Sequence, residues 1–385
     1  MKTLYFDSAA TSFPKPNCVI EAVTDYMVNY GTNVNRGSYE TAYGTAQVVY
    51  ETREKLCSLF DFPNCDHVVF TENITYALNM ILKGYLKSGD HVLVSAMEHN
   101  AVMRPLVQLE KKGICFSRIP CTSKGDLIVE EMEALLKDNT KAVIMTSASN
   151  VSGTKMPLRE VGQFCRNHHL TFIVDSAQEA GIFPISMKEM CIDVLAFTGH
   201  KGLLGPQGIG GFLVSEEVAK QMEPLITGGT GSISDSEETP DFLPDKFEAG
   251  TMNLPAIFGL HASLSYLEKI GIETIQKKEQ ALTKLFLEGI TSIQGISVIG
   301  HEDMENRGPV VSLQCDFMDE AELAFLLDNE YHVMTRVGMH CAPNAHKVLG
   351  SFPRGTIRFS FGYELGEEEV KSVLKILKEL SARKN

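Results

Sequence analysis

Four side chains of different chemistry each follow a short apolar run, the place where a strand hands over to a turn. Asp175 closes Ile173-Val174-Asp175, so its carboxylate projects at a strand's carboxyl edge, where it could pair with a protonated ring nitrogen. Lys201 lies in Thr198-Gly199-His200-Lys201-Gly202, just beyond the run Asp193–Phe197. An amine there could form a Schiff base with an aldehyde, and the flanking glycines let a ligand approach the backbone. Thr71–Thr75 sits at a strand-to-helix turn, where free N–H groups and hydroxyls can seat a phosphate. His99, in Met97-Glu98-His99-Asn100, could stack on a planar ring while exchanging protons near neutral pH. Each also has an ordinary reading: Asp175 or Thr71 as a helix cap, Lys201 as a solvated cation, His99 as a hydrogen-bonded structural residue. Together the four describe the seat of a phosphate-bearing pyridine aldehyde.

Such a seat needs strands to aim it. From residue 67 to 215 short apolar runs alternate with stretches of helical period, the pattern of an α/β layered domain on a largely parallel sheet. The strand candidates are His67–Phe70, His91–Ser95, Ala142–Ser147, Thr171–Asp175, Asp193–Phe197 and Ile209–Val214, with helices such as Thr75–Leu86 and Leu158–Asn167 between them. In such sheets ligands gather at the carboxyl ends of the strands. Gly205–Gly211 resembles a dinucleotide fingerprint but precedes a strand, which excludes that reading. Gly228–Asp245 is polar and without period, a long loop. Helices Pro255–Ile270 and Glu273–Ile293, strands near Val310–Gln314 and Thr356–Phe361, and a closing helix Glu367–Leu380 then predict a smaller α+β domain.

The 385 residues, 44% hydrophobic and 22% charged, fit a folded globular chain. A net charge of −14 without basic blocks argues against nucleic acid or an anionic membrane as partner. Nine cysteines without a CxxC pair argue against a disulfide framework and a zinc site, and no metal is expected. With no apolar leader and no run long enough to span a bilayer, a cytoplasmic location is expected.

The spacing of these residues resembles the class V pyridoxal-phosphate aminotransferase superfamily, specifically its cysteine desulfurase and selenocysteine lyase members. The resemblance runs from Leu4-Tyr5-Phe6-Asp7-Ser8-Ala9-Ala10-Thr11 to the final helix and is strongest at Thr198-Gly199-His200-Lys201 with Gly205-Pro206-Gln207-Gly208-Ile209-Gly210. It implies the fold type I of pyridoxal-phosphate transferases: a large domain, residues 15–254, with a mainly parallel seven-stranded sheet between helices, and a smaller domain from residues 1–14 and 255–385. It also implies that Lys201 carries pyridoxal 5'-phosphate, Asp175 pairs with the ring nitrogen, Gln178 with the phenolic oxygen, and His99 stacks on the ring. Thr75, Thr198 and His200 would hold the phosphate, with Thr251 reaching the phosphate of a neighbouring subunit in a homodimer. Asn150 would lie close to the substrate, Arg358 would grip its carboxylate, and Arg336 is a further substrate-binding candidate.

Arg336-Val337-Gly338-Met339-His340-Cys341-Ala342-Pro343 is similar to the catalytic-cysteine segment of the desulfurase branch and singles out Cys341. A thiol beside His340, with Arg336 near in sequence, could have a lowered pKa; the small-hydrophobe reading fits most of the other eight cysteines. Two departures stand out: Ile74-Thr75 where many relatives have two hydroxyls, and the Ser- and acid-rich loop 228–245. The resemblance implies removal of sulfur from L-cysteine, leaving alanine and a persulfide on Cys341 for an acceptor protein. Selenocysteine lyase, a transaminase of another small amino acid, and a non-catalytic sulfur carrier are the alternatives.

Overall fold

The computed structural model describes residues 3–383 except Arg36 and Ser234. After a two-residue strand β1 (Leu4–Tyr5), seven strands build the main sheet: β2 (Val68–Thr71), β3 (His91–Ser95), β4 (Cys115–Ile119), β5 (Thr140–Thr146), β6 (Thr171–Asp175), β7 (Val194–Thr198) and β8 (Gly210–Val214). Their spatial order is β2-β8-β7-β6-β5-β3-β4. Only β8 runs antiparallel to its neighbours, so the sheet is mainly parallel, as expected.

Successive residues of a strand face opposite sides, and here both sides are apolar. Phe172 and Val174 of β6 join a core with Leu93, Val143 and Leu195, while Ile173 joins a second with Val92, Ile144 and Phe212. Burial on both faces makes these strands read as continuous apolar runs. β4, the strand of this sheet that was not anticipated, is an edge: its Ser117 and Arg118 break the run, and Ile119 alone is buried.

The smaller unit adds β9 (Ile296–Ile299), β10 (Val310–Cys315), β11 (Val333–Met334), β12 (Arg336–Gly338) and β13 (Thr356–Ser360). Four of them form an antiparallel sheet in the order β12-β13-β10-β9. β1 pairs in parallel with β11, and Phe6 packs in this unit's core with Phe286 and Phe359. The N-terminal segment thus lies on the smaller unit. Helix Leu254–Ile270, assigned from sequence to that unit, instead packs Ile257, Leu260 and Leu264 into a core of the large sheet. Apart from Phe6, the smaller unit's own core starts at Leu282. The helix directly follows the long loop, and its apolar face meets helices Asn17–Asp25 and Glu40–Phe60.

Among the described residues no helix is long and apolar enough to cross a membrane. The loop 228–245, apart from Ser234, carries neither helix nor strand. Just beyond it the chain is fixed by a buried pair: Arg53 Nη2 lies 2.7 Å from Glu248 Oε2, and Glu248 Oε1 accepts from Phe70 N–H at 2.6 Å. This clamp on β2 sets the path of the chain toward Thr251.

Candidate active site

The carboxyl ends of β5, β6 and β7 and the helix that follows β2 open onto one cavity of about 880 Å³. Its wall gathers Thr75, His99, Asn150, Asp175, Gln178, Thr198, His200, Lys201 and Thr251, residues spread over 176 positions of the chain from Thr75 to Thr251 (251 − 75). A second hollow of about 550 Å³ shares Thr75, His99 and Ala101 with the first and is bordered by Cys341. Thr75, His99 and Ala101 thus border both.

Asp175 ends β6 and is buried, with Oδ1 accepting from Ala177 N–H at 2.9 Å. Burial pushes its carboxyl up, opposed by that hydrogen bond and by Lys201. Lys201 lies in the turn after β7, where burial lowers its ammonium from 10.5 to about 8 and Asp175 opposes the drop. An amine so placed has an accessible neutral form, the one able to condense with an aldehyde. The glycines beside it serve a different end from the one anticipated. A Cβ on Gly202 would lie 2.5 Å from the Ala180 carbonyl, and one on Gly199 2.8 Å from Ile209 Cγ2. They let the chain pack on itself and so fix the lysine's backbone. The His200 carbonyl just before it accepts from Ser12 N–H at 2.9 Å and Lys15 Nζ at 2.9 Å.

At the other end of the cavity, helix Ile74–Tyr85 begins with Asn73 as its cap: Asn73 Oδ1 accepts from Tyr76 N–H at 3.0 Å. Thr71 is therefore not the cap; its hydroxyl donates to Asn73 O. The first N–H groups of this helix and the Thr75 side chain face a positive-dipole end suited to an anion. On the wall of the same cavity, Thr198 Oγ1 and His200 Nδ1 are buried without hydrogen-bond partners, and burial holds the His200 imidazole down to about 4. Gln178 Nε2 donates one of its two hydrogens to Ala9 O at 3.3 Å, which leaves the second N–H and the carbonyl oxygen for a ligand. Thr251 is exposed at the rim of its own chain's cavity.

His99 caps helix Asn100–Glu110, its Nδ1 accepting from Ala101 N–H at 3.0 Å. The proton of the neutral ring is consequently on Nε2. Burial, then Lys201 and Arg358, lower its pKa to about 4, which corrects the expectation of proton exchange near neutrality: without a ligand, His99 is a neutral single donor.

Cys341 is the one exposed thiol of the nine, all of them free. Its loop is pinned on three sides. Asn100 N–H donates to Cys341 O at 2.8 Å, Asn150 Nδ2 to His340 O at 2.6 Å, and Asn344 Nδ2 to Ala96 O at 2.6 Å. His340 is not the cation that sequence proximity suggested. It is buried, bonded through Nε2 to Thr356 Oγ1 at 2.9 Å, and burial with Arg358 depresses its pKa to about 2. The cation near the thiol is Arg336, whose pKa is raised chiefly by Asp7 hydrogen bonds and in smaller part by Cys341.

Arg358, on β13, is buried; its Nη1 donates to Asn150 O and its Nη2 to Asp7 Oδ1, both at 3.0 Å, while Nε has no partner. Asp7 also accepts from Arg336 Nε and Nη2, the latter at 2.8 Å. Sequence reasoning missed Asp7 as a site residue; the only signal was its place in the N-terminal motif, 351 positions before Arg358 (358 − 7).

The donors fit the aldehyde cofactor implied by the sequence. An amine of lowered pKa and a buried acid share a cavity with a helix N-terminus and two unpartnered polar atoms, Thr198 Oγ1 and His200 Nδ1.

The family model described as Aminotransferase class-V matches residues 4–373. The chain is 33% identical over 383 residues to a probable cysteine desulfurase of Methanothermobacter thermautotrophicus, covering 98% of this chain and 94% of that protein. It is 35% identical over 387 residues to one of Pyrococcus abyssi, with the same coverage. Its structure is similar to a cysteine desulfurase from Thermococcus onnurineus NA1, with a TM-score of 0.93, 31% identity, and 99% and 95% of the two chains covered. With the family model spanning nearly all of the sequence and the site residues gathered on its strand ends, the chain belongs to the class-V aminotransferase family.

Proposed function

We propose that the protein is a pyridoxal-phosphate-dependent cysteine desulfurase that converts L-cysteine to L-alanine and leaves the sulfur as a persulfide on Cys341. The observation that carries this reading is the exposed Cys341 on a loop pinned by Asn100 and Asn150, bordering a hollow that shares His99 with the cavity of Lys201 and Asp175. A transaminase has no need of such a thiol. The relatives named as cysteine desulfurases support it.

When bound, the pyridoxal group supplies an electron sink for charge developing at the substrate Cα. Lys201 would hold it, and the free Lys201 amine is the base for the Cα proton; a pKa of about 8 lets the amine serve as base and its conjugate acid as donor. Asp175 keeps the ring nitrogen protonated. Thr75, Thr198 and His200 would hold the phosphate, Gln178 the phenolic oxygen, and His99 would stack on the ring, with its Nε2–H as the available donor. Arg358 grips the carboxylate with its unpartnered Nε edge, beside Asn150. Cys341 as thiolate attacks the substrate sulfur: the S–S bond forms, the C–S bond breaks, and the electron pair stays on carbon, which is protonated to alanine. Cysteine and the Cys341 thiol thus give alanine and the persulfide, sulfur oxidised and carbon reduced.

The protein acts in the cytoplasm as a homodimer in which Thr251 reaches the partner's phosphate, and an acceptor protein takes the sulfur. Purified protein given pyridoxal phosphate, L-cysteine and a reductant should release alanine and sulfide in equal amounts. A keto acid in place of alanine would favour a transaminase. Much faster alanine release from selenocysteine would favour the lyase.

A further inference from the structure

Asp7 stands between the two arginines of the site. Its side chain, 10% exposed, pairs with buried Arg358 and with half-exposed Arg336. The three groups together carry one net positive charge: two guanidinium charges less one carboxylate. They also reach the reacting groups: Asp7, Arg336 and Arg358 each bear on the Lys201 amine, and Arg336 also feels Cys341. Arg336 lies on β12, five residues before Cys341 (341 − 336), and Arg358 on β13 is bonded to the Asn150 carbonyl.

We propose that Asp7 is a specificity-determining positioning residue: as the shared counter-ion of Arg336 and Arg358 it leaves a single positive charge for the substrate, so the site takes an amino acid with one carboxylate and a neutral side chain and rejects one with a second anionic group. This rests on the desulfurase reading, in which Arg358 grips the α-carboxylate. With both guanidiniums held by Asp7, Arg358 keeps its Nε edge for the ligand while Arg336 has its Nε and one Nη spent. Removing the carboxylate charge frees Arg336 and doubles the positive charge to be matched.

The experiment is an absorbance titration of the holoenzyme with L-alanine and L-aspartate, which needs no turnover. In Asp7→Asn the ratio of the two dissociation constants should move toward aspartate by about tenfold or more, the scale of one charge a few ångströms away in partly wet protein. Asp7→Glu, which keeps the charge, should restore the wild-type ratio. Arg336→Gln, at a half-exposed position that tolerates change, should move it the opposite way. In the cofactor-free protein, the pH midpoint for labelling of the Lys201 amine, read by peptide mapping, should fall in Asp7→Asn because a charge that raises it is gone. An unchanged ratio in a folded Asp7→Asn protein overturns the proposal. Should that variant not fold, an unchanged or aspartate-favouring ratio in Arg336→Gln overturns it. Failure of the wild type to make alanine from cysteine would sink the desulfurase reading alone, since the ligand ratio and the labelling midpoint are read without that reaction.

Discussion

The backbone N–H of Asn100 donates to the carbonyl oxygen of Cys341 at 2.8 Å, so the residue after His99 holds the peptide of the exposed thiol. The loop needs holding. His340 and Cys341 adopt consecutive left-handed conformations, with φ of 45° and 56°, which cost side-chain-bearing residues about 1–2 kcal/mol each. Three hydrogen bonds offset that strain and give the thiol a fixed place at the hollow that His99 also borders.

Attack on sulfur needs that thiol, whereas abstraction of the Cα proton by Lys201 does not. Cys341→Ala should therefore keep its fold, its cofactor and its spectral response to L-cysteine, yet lose sulfide release by about a hundredfold or more. The loss with selenocysteine should be smaller, because selenium leaves more readily. Near-normal release from cysteine would demote Cys341 to a structural thiol.

Lys201 is the anchor of the cofactor in the proposed reaction. The holoprotein should be yellow, and borohydride reduction followed by peptide mapping should place the pyridoxyl group on Lys201. Lys201→Ala should lose the borohydride-stable attachment and the Schiff-base band, leaving the absorbance of the free aldehyde, while the phosphate seat still binds the cofactor with reduced affinity. A wild-type protein that gains no absorbance with added pyridoxal phosphate counts against the whole proposal.

Much of this was readable in the chain because the fold puts its chemistry at the ends of buried strands. Thr171–Asp175 is apolar on both faces and ends in a carboxylate, and that contrast is visible without a structure. β4 was not visible, since an edge strand with Ser117 and Arg118 has no apolar run to detect. Helix Leu254–Ile270 was found but set in the wrong layer, because periodicity shows that a helix has an apolar face and not which core receives it. The environment of Cys341 was misjudged for a related reason: adjacency to His340 says nothing of burial, and burial makes that imidazole neutral. Asp7 could not be paired with Arg336 and Arg358 by local pattern, since the contact spans nearly the whole chain.

Gly181 tests how the Lys201 turn is held. Its φ is +84°, and a Cβ there would lie 2.3 Å from the Gly202 carbonyl and 2.9 Å from Leu203 N. Gly181→Ala must push the strand-end turn away from the cavity as well as strain its own backbone. A stability loss of about 2 kcal/mol or more is expected, with weaker cofactor retention on dialysis than in a surface Gly→Ala control at Gly228, whose Cβ would meet only Ala249 at 3.6 Å. Wild-type melting and retention would show that the turn adapts freely.

The buried acids and histidines near the site oppose one another in pH, and Glu98 separates them. Burial raises the Glu98 carboxyl from 4.5 to about 8, although Ser95 Oγ and Thr146 N–H both donate to it and pull the other way. Burial likewise raises Glu279 to about 8 and Glu179 to about 7. An acid whose folded pKa is raised contributes stability that is complete below about pH 4.5 and is lost as the pH climbs through 8. His91, His99, His200 and His346 are held by burial at about 4. Their neutral forms favour the fold above about pH 6.5, and that stability is lost as the pH falls toward 4. The cofactor-free protein should accordingly melt highest where the two ranges overlap, between about pH 4.5 and 6.5. Glu98→Gln keeps an acceptor for Thr146 N–H and removes one acid, so its melting temperature should gain on the wild type steadily from pH 5 to pH 8 and show a constant offset below about pH 4.5. Parallel curves across pH 5 to 8 would mean that Glu98 ionises freely in the folded protein, and the account of a buried neutral acid behind His99 would be wrong.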